Sequence, residues 1–298
     1  MLKEKTSNFV DFSSKIKNLI INILKILLLS VIFFILRTIV FVGIFQYIFD
    51  LPKPDIESPG LLLFFNFFIS FVFTLALIPI IFRSTLSKKN LWYIIVIILI
   101  GIPIIINQIE AFFFHGSVDM SRKELFIYSL GNICAAFIFS FAMIKVFEKT
   151  IETDTKSTSF LVNRKHFFWK IPLAAFIIYP FIYLFFGSLL YGLYAPVKEF
   201  YSRLDIPNQN FILLFQLFRG LLWMIPGILT FSHVKGKKIH IALMTGCIFA
   251  IFMSVEILAP VDFMPLKVRM GHFIELIISH FLWGVILVYL FRKTTVKE

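Results

Sequence analysis

Charge is scarce in this chain. Asp, Glu, Lys and Arg make up only 15% of its 298 residues, against 59% hydrophobic residues, with 40 phenylalanines among them. A soluble domain of this length needs far more charge to cover its surface. No polar interval is longer than about 20 residues (148–170), too short for a separate soluble domain. Cysteine is rarer still. Cys134 and Cys247 both sit in apolar runs, which excludes a disulfide framework and a thiolate metal site and reads as two small buried side chains. No Glu-Glu dipeptide occurs, so the paired-glutamate motif of prenyl-type intramembrane proteases is missing. The G-x-S-x-G elbow, phosphate-binding glycine loops and dinucleotide fingerprints are missing too. Nothing in the sequence asks for a cofactor.

What is present is hydrocarbon in long runs, with a mean hydropathy of +0.91. Crossing about 30 Å of bilayer core takes roughly 20 apolar helical residues. Eight segments qualify, near 26–48, 60–82, 91–108, 125–146, 171–194, 210–231, 240–259 and 270–291. The ten-residue alternating strands of a membrane barrel are absent, which leaves helices as the spanning form. The expected fold class is therefore all-α, a polytopic helical membrane protein of about eight transmembrane helices. The N-terminal stretch "MLKEKTSNFVDFSSKIKNL" is basic, and the apolar run after it is too long for a signal peptide, so it reads as an uncleaved first span.

With the N-terminus placed in the cytoplasm, 19 of the 29 Lys and Arg fall on inner segments and 7 on outer loops. This predicts both termini cytoplasmic in a bacterial inner membrane. The net charge of +12 follows from that asymmetry, since basic loops meet an anionic inner leaflet. No exposed basic and aromatic patch suggests nucleic acid as a partner.

The chain also resembles itself. Laying "LLFFNFFIS" (Leu62–Ser70) over "LLFQLFRG" (Leu213–Gly220) aligns Asn66 with Gln216 and Phe68 with Phe218. Beyond the next loop, "SKKN" falls on "GKKI", then Glu110 on Glu256 and Arg122 on Arg269. Two four-helix halves, 1–150 and 151–298, are expected. An even helix count makes the repeats parallel, related by an axis near the membrane normal.

Several ionisable residues enter apolar runs. Lys25 can snorkel to the headgroups, whereas Arg37 is placed mid-span. Arg219 and Glu256 fall in the outer half. The stretch "VRMGHFIELIISHFLWG" (Val268–Gly284) opens the last span with Arg269, His272, Glu275, Ser279 and His280. At 100° per residue, His272, Glu275 and Ser279 share one face, with Arg269 and His280 flanking them. Phe273, Ile277, Phe281 and Leu282 face the other way. Charges in a bilayer turn inward, pair, or line a wet cavity. The expected site is thus an outer-leaflet pocket of Arg219, Glu256, Arg269, His272, Glu275 and Ser279, with a weaker N-terminal counterpart in Glu110, Arg122 and Asn132. The H-x2-E-x4-H spacing does not match the metal-binding H-E-x-x-H pattern, and no metal is expected. His115, His166, His233 and His240 lie in loops or at helix ends. The loop "APVKEFYSRLDIP" (Ala195–Pro207) is expected to lie along the interface or to form a lid.

With these residues assembled, the C-terminal half resembles the VanZ-like family of membrane proteins. That family runs as N-x-x-x-F-x-P-x-G on one helix and a basic loop. A glutamate then closes the next helix, and an arginine precedes a helix with an acidic residue and an asparagine. Here "RGLLWMIPG" supplies Arg219, Trp223, Pro226 and Gly227. "GKKIHIALMTGCIFAIFMSVEIL" supplies the loop and Glu256, and the last span supplies Arg269, Glu275 and Ser279. Arg219 and Ser279 replace the two asparagines, and the proline is shifted by one. The resemblance implies a cell-envelope protein and hands over no catalytic residue.

The residues then suggest a non-catalytic envelope protein whose partners are membrane lipids or a lipid-linked envelope precursor. Arg219 and Arg269 would meet an anionic headgroup, Glu256 and Glu275 would orient them, and His272 would add a pH-sensitive donor. A small-molecule or ion transporter, a lipid-modifying enzyme using Glu275 or His272 as base, and a structural subunit are the alternatives.

Overall fold

The computed structural model describes residues 2–40, 59–113, 121–148, 162, 166–204, 207–260 and 264–293, with the backbone alone for 2–13. The expected half boundary at 150/151 and His115 lie outside the described residues. The fold is all-α. Among the described residues, eight helices are long and apolar enough to cross a membrane. They are α1 (Leu2–Thr38), α2 (Pro59–Arg83), α3 (Lys88–Phe113), α4 (Arg122–Val146), α5 (Phe167–Leu193), α7 (Gln209–Ser232), α8 (Lys238–Leu258) and α9 (Leu266–Phe291). A short α6 (Ala195–Tyr201) lies between α5 and α7. The chain is thus built as an integral membrane protein.

These helices are continuous because their apolar residues carry no competing side-chain polar groups, and the few that do are tamed locally. Ser30, Ser70, Thr74, Ser140, Thr230 and Ser254 each donate to the carbonyl four residues back, which satisfies a hydroxyl in a dry interior. Pro79 and Pro226 lie inside α2 and α7. Pro103 falls in a π-helical stretch of α3, Ile100–Ile106, where the widened turn absorbs the missing N–H.

The first span starts earlier than expected. The α-helix runs to Thr38 and on through Ile39 and Val40 in a π-helical turn, which puts Arg37 near the end of the described segment. A run that is apolar on every side leaves the helix start undetermined within ten residues. Cys134 and Cys247 also differ from expectation, since both are exposed on the outside of the bundle. Lipid tails are as apolar as a core, so an apolar run does not say which side is inside.

The helices close into a ring: α1 packs on α2, α2 on α8, α8 on α9, α9 on α5, α5 on α7, α7 on α3, α3 on α4 and α4 on α1. The α8–α9 seam is closest. A Cβ at Gly284 would come within 2.8 Å of the Gly246 Cα, so small residues let these two backbones touch. Gly220 does the same for α7 and α5, where a Cβ would strike the Ala175 carbonyl.

One end of the bundle, here called proximal, is where α2, α7 and α9 finish and α3 and α8 begin. There the two turns clasp each other. Thr85 N donates to His233 O at 2.9 Å, and Lys235 N donates to Arg83 O at 2.8 Å. Arg292 gathers three carbonyls of the second turn, those of Phe231, Val234 and Gly236, at 2.8–3.1 Å. The distal end, where α1, α3 and α8 finish and α4, α7 and α9 begin, holds the charged residues that apolar helices should not carry.

Candidate functional site

The distal end is organised by the last turns of α3. Arg219 of α7 is 1% exposed and meets Glu110 with Nη1 to Oε2 at 2.7 Å. Its Nε donates to the Ile106 carbonyl at 3.0 Å, and its guanidinium lies 5.8 Å from the centre of the Tyr183 ring. The Tyr183 hydroxyl donates to the other Glu110 oxygen at 2.8 Å. On the neighbouring side of α3, Asn107 Nδ2 donates to Glu256 Oε2 at 3.4 Å. Glu256 in turn pairs with Arg37 of α1 at 2.8 Å, and Arg37 Nε donates to Asn66 of α2 at 3.0 Å. Asn66 completes the set by donating to the Thr38 hydroxyl at 3.0 Å. Two largely buried ion pairs from four helices, with Tyr183 and Asn66 from two more, thus gather at the end of α3. Each carboxylate meets an arginine and a further donor, as burial of charge demands.

The partnerships differ from those the sequence suggested. Arg219 is held by Glu110 and not by Glu256, and Glu256 is held by Arg37. Arg269, 9% exposed, donates through Nη1 to the carbonyls of Leu258 and Ala259, at the turn leaving α8. The physical reason is the ring order. α3 packs on α7 and α2 on α8, so each glutamate faces helices of the opposite half. Glu110 therefore joins the Arg219 group instead of forming an N-terminal counterpart. Asn132 donates to the Tyr128 carbonyl at 3.0 Å and lines a cavity with Arg37, Gln108 and Glu256. Arg122 opens α4 on the surface, beside the Phe112 ring.

A small cavity lies against the Arg37–Glu256 pair, with about 20 Å³ of room for water centres, walled by Phe33, Phe73 and Pro103. That is enough for one water and too little for a larger ligand.

Around α9, His272 Nε2 lies 3.0 Å from the Tyr201 hydroxyl, and His272 Nδ1 lies 3.9 Å from Glu275. Burial, and after it the Glu110 and Glu275 carboxylates, raise the Tyr201 hydroxyl well above the usual phenol range. These groups therefore share one environment with the Arg219 pair. Arg219, Tyr183, Tyr201, His272, Glu275 and Glu110 are brought together. Ser279 turns toward His280, with Oγ 3.2 Å from Nδ1. The exposed side of α9 runs along Met270, Ile274, Ile278 and Leu282; of the expected Phe273, Ile277, Phe281 and Leu282, Leu282 lies on it and the other three are half-buried beside it, because the helix buries itself against α5, α6 and α8 together.

Sequence reasoning missed Tyr183, Tyr201, Asn107 and the partner of Arg37. A tyrosine among forty phenylalanines carries little signal, although its hydroxyl needs a partner when buried. Among the described residues, no group of three or more His, Cys, Asp and Glu could hold a metal ion. The segment around Ala195 folds as α6 and packs on α5 and α9, with Lys198 and Arg203 exposed and Val197 buried. No family model, no curated protein and no solved structure matches the chain.

Proposed function

We propose that this integral membrane protein is a non-catalytic envelope protein that holds an anionic amphiphile at its distal end, which faces the outside. A membrane lipid, or a lipid-linked envelope precursor of the same headgroup chemistry, would be the ligand. The VanZ-like resemblance of the C-terminal half supports an envelope role. The observation that carries the binding reading is the placement of α6, which lays exposed Lys198 and Arg203 near the Tyr201–His272 contact, with Lys267 exposed at the start of α9. An anionic headgroup would rest on this basic rim, with its chains along the apolar flank of α9. Arg219 is spent on Glu110, so its role is to fix the floor of the site rather than to touch the ligand.

Native mass spectrometry of the Lys198→Ala, Arg203→Ala, Lys267→Ala triple variant tests this. Loss of co-purifying anionic lipid is expected, and retention equal to that of the parent protein refutes it. A transporter is the second reading, favoured by the cavity between helices of both halves at Arg37 and Glu256. Labelling of a cysteine placed at Gln108 from both faces of the membrane would favour it.

The same reading takes residues 1–150 and 151–298 as parallel repeats. Supporting this, the two clasp bonds are related by a shift of 150 in residue number, as 85 to 233 and 235 to 83. The packings α1–α2, α1–α4, α3–α4 and α2–α8 also recur as α5–α7, α5–α9, α8–α9 and α7–α3.

A further inference from the structure

Between α5, α7 and α9 runs a seam in which several buried polar atoms have no protein partner. Gln216 is fully buried, and neither its amide nitrogen nor its amide oxygen makes a hydrogen bond. His280, 4% exposed, uses Nδ1 on the Leu276 carbonyl at 3.0 Å and leaves Nε2 unpaired. Trp283, fully buried, leaves its indole N–H unpaired.

These groups form a column. Gln216, Arg219 and Trp223 are three and four residues apart on one face of α7. The Trp223 ring lies 5.8 Å from His280 and 6.5 Å from Trp283, and Tyr179 of α5 lies 5.3 Å from Trp283. On α9, His280 is 14 residues from Leu266, so it sits roughly 20 Å along a helix rising 1.5 Å per residue, close to the bilayer centre. Below Trp283 the column ends, because Gly284 is pressed against Gly246 and the next buried residues are Leu287, Val288 and Phe291. At its upper end stands Glu110, whose side chain is 33% exposed.

An orphan donor or acceptor at this depth is expensive, and a row of them on two facing helices has one common remedy. Ordered water satisfies buried polar groups where two or more of them converge. We propose that a file of ordered water occupies this seam from Gln216 to Trp283, wetting the membrane interior from the distal end as far as His280. The seam starts at the Arg219–Glu110 floor beneath the basic rim, and it is closed toward the proximal end by the glycine contact.

Water-edited solid-state NMR of the protein in lipid bilayers tests it directly. Polarisation from water should reach the Trp283 indole nitrogen and the His280 ring several-fold faster than the amide of Phe249, which is fully buried in the same core. Equal build-up at all three sites overturns the proposal. Gln216→Leu gives a second reading. A wet seam predicts slower transfer to His280 and a lower thermal midpoint. A dry one predicts unchanged transfer and a higher midpoint, since an unpaired amide has been removed. Should that variant fail to fold, the measurement on the parent protein decides alone.

Discussion

Arg37–Glu256 and Arg219–Glu110 close at nearly the same distance, 2.8 and 2.7 Å, on either side of α3, yet they are built differently. Arg37 comes from the end of α1 and leans on Asn66, with a water-sized cavity alongside. Arg219 comes from the interior of α7, is 1% exposed, and shares its glutamate with a tyrosine. The glutamates stand at matching places, the distal ends of α3 and α8. The arginines do not. A carboxylate stands near the distal end of each of these helices, and each meets an arginine from a helix distant in the chain. The Arg37 pair has a water-sized cavity alongside, whereas the Arg219 pair sets a wholly buried arginine against a partly exposed glutamate.

The comparison predicts unequal costs. Arg219→Ala should be the most damaging change, because it empties a wholly buried site and leaves the Ile106 carbonyl and one Glu110 oxygen without their donor. A loss of about 3–5 kcal/mol is expected for breaking such a pair, read by denaturant unfolding in detergent. Arg37→Ala should cost about 2 kcal/mol, since Glu256 keeps Asn107 and has water at hand. Equal costs for the two would remove the asymmetry argued above. A double-mutant cycle sharpens it further, with a larger coupling for Arg219 and Glu110 than for Arg37 and Glu256.

Smaller effects follow for the auxiliary donors. Tyr183→Phe removes a neutral donor from Glu110 while Arg219 stays, and should cost about 1–2 kcal/mol. Asn66→Ala should cost about 1 kcal/mol on the other side. The smallest effect belongs to the proximal clasp. Burial lowers the pKa of His233 from its ordinary 6.5. The folded protein therefore favours the neutral ring. Its contribution is complete above pH 6.5 and is lost as pH falls from there through the folded value, because the unfolded chain takes up the proton first. Thermal midpoints measured between about pH 7 and 5 should fall, by less in His233→Asn.

Much of the architecture was legible beforehand, for a reason specific to membranes. Eight runs of hydrocarbon must become eight helices, since no other form satisfies the backbone in lipid. Individual site residues were legible by the same logic. Arg219, Glu256, His272 and Glu275 stood out as costly groups in apolar runs, and all four are found in polar contacts at the distal end. Their partners were not legible. Glu110 and Arg219 are more than a hundred residues apart, and nothing in either segment says that α3 packs on α7. The start of the first span was misplaced because the start of an apolar helix has no marker.

The sequence by itself therefore determined the helices, their number, and which side chains could not be left facing lipid, because hydrophobic length and the cost of a bare charge are local properties. Only the tertiary structure decided who meets whom. Pairing across the chain depends on the order of helices around the ring, and that order rests on close contacts between distant segments, such as Gly101 of α3 against Pro226 of α7, whose partners are invisible until the chain is folded.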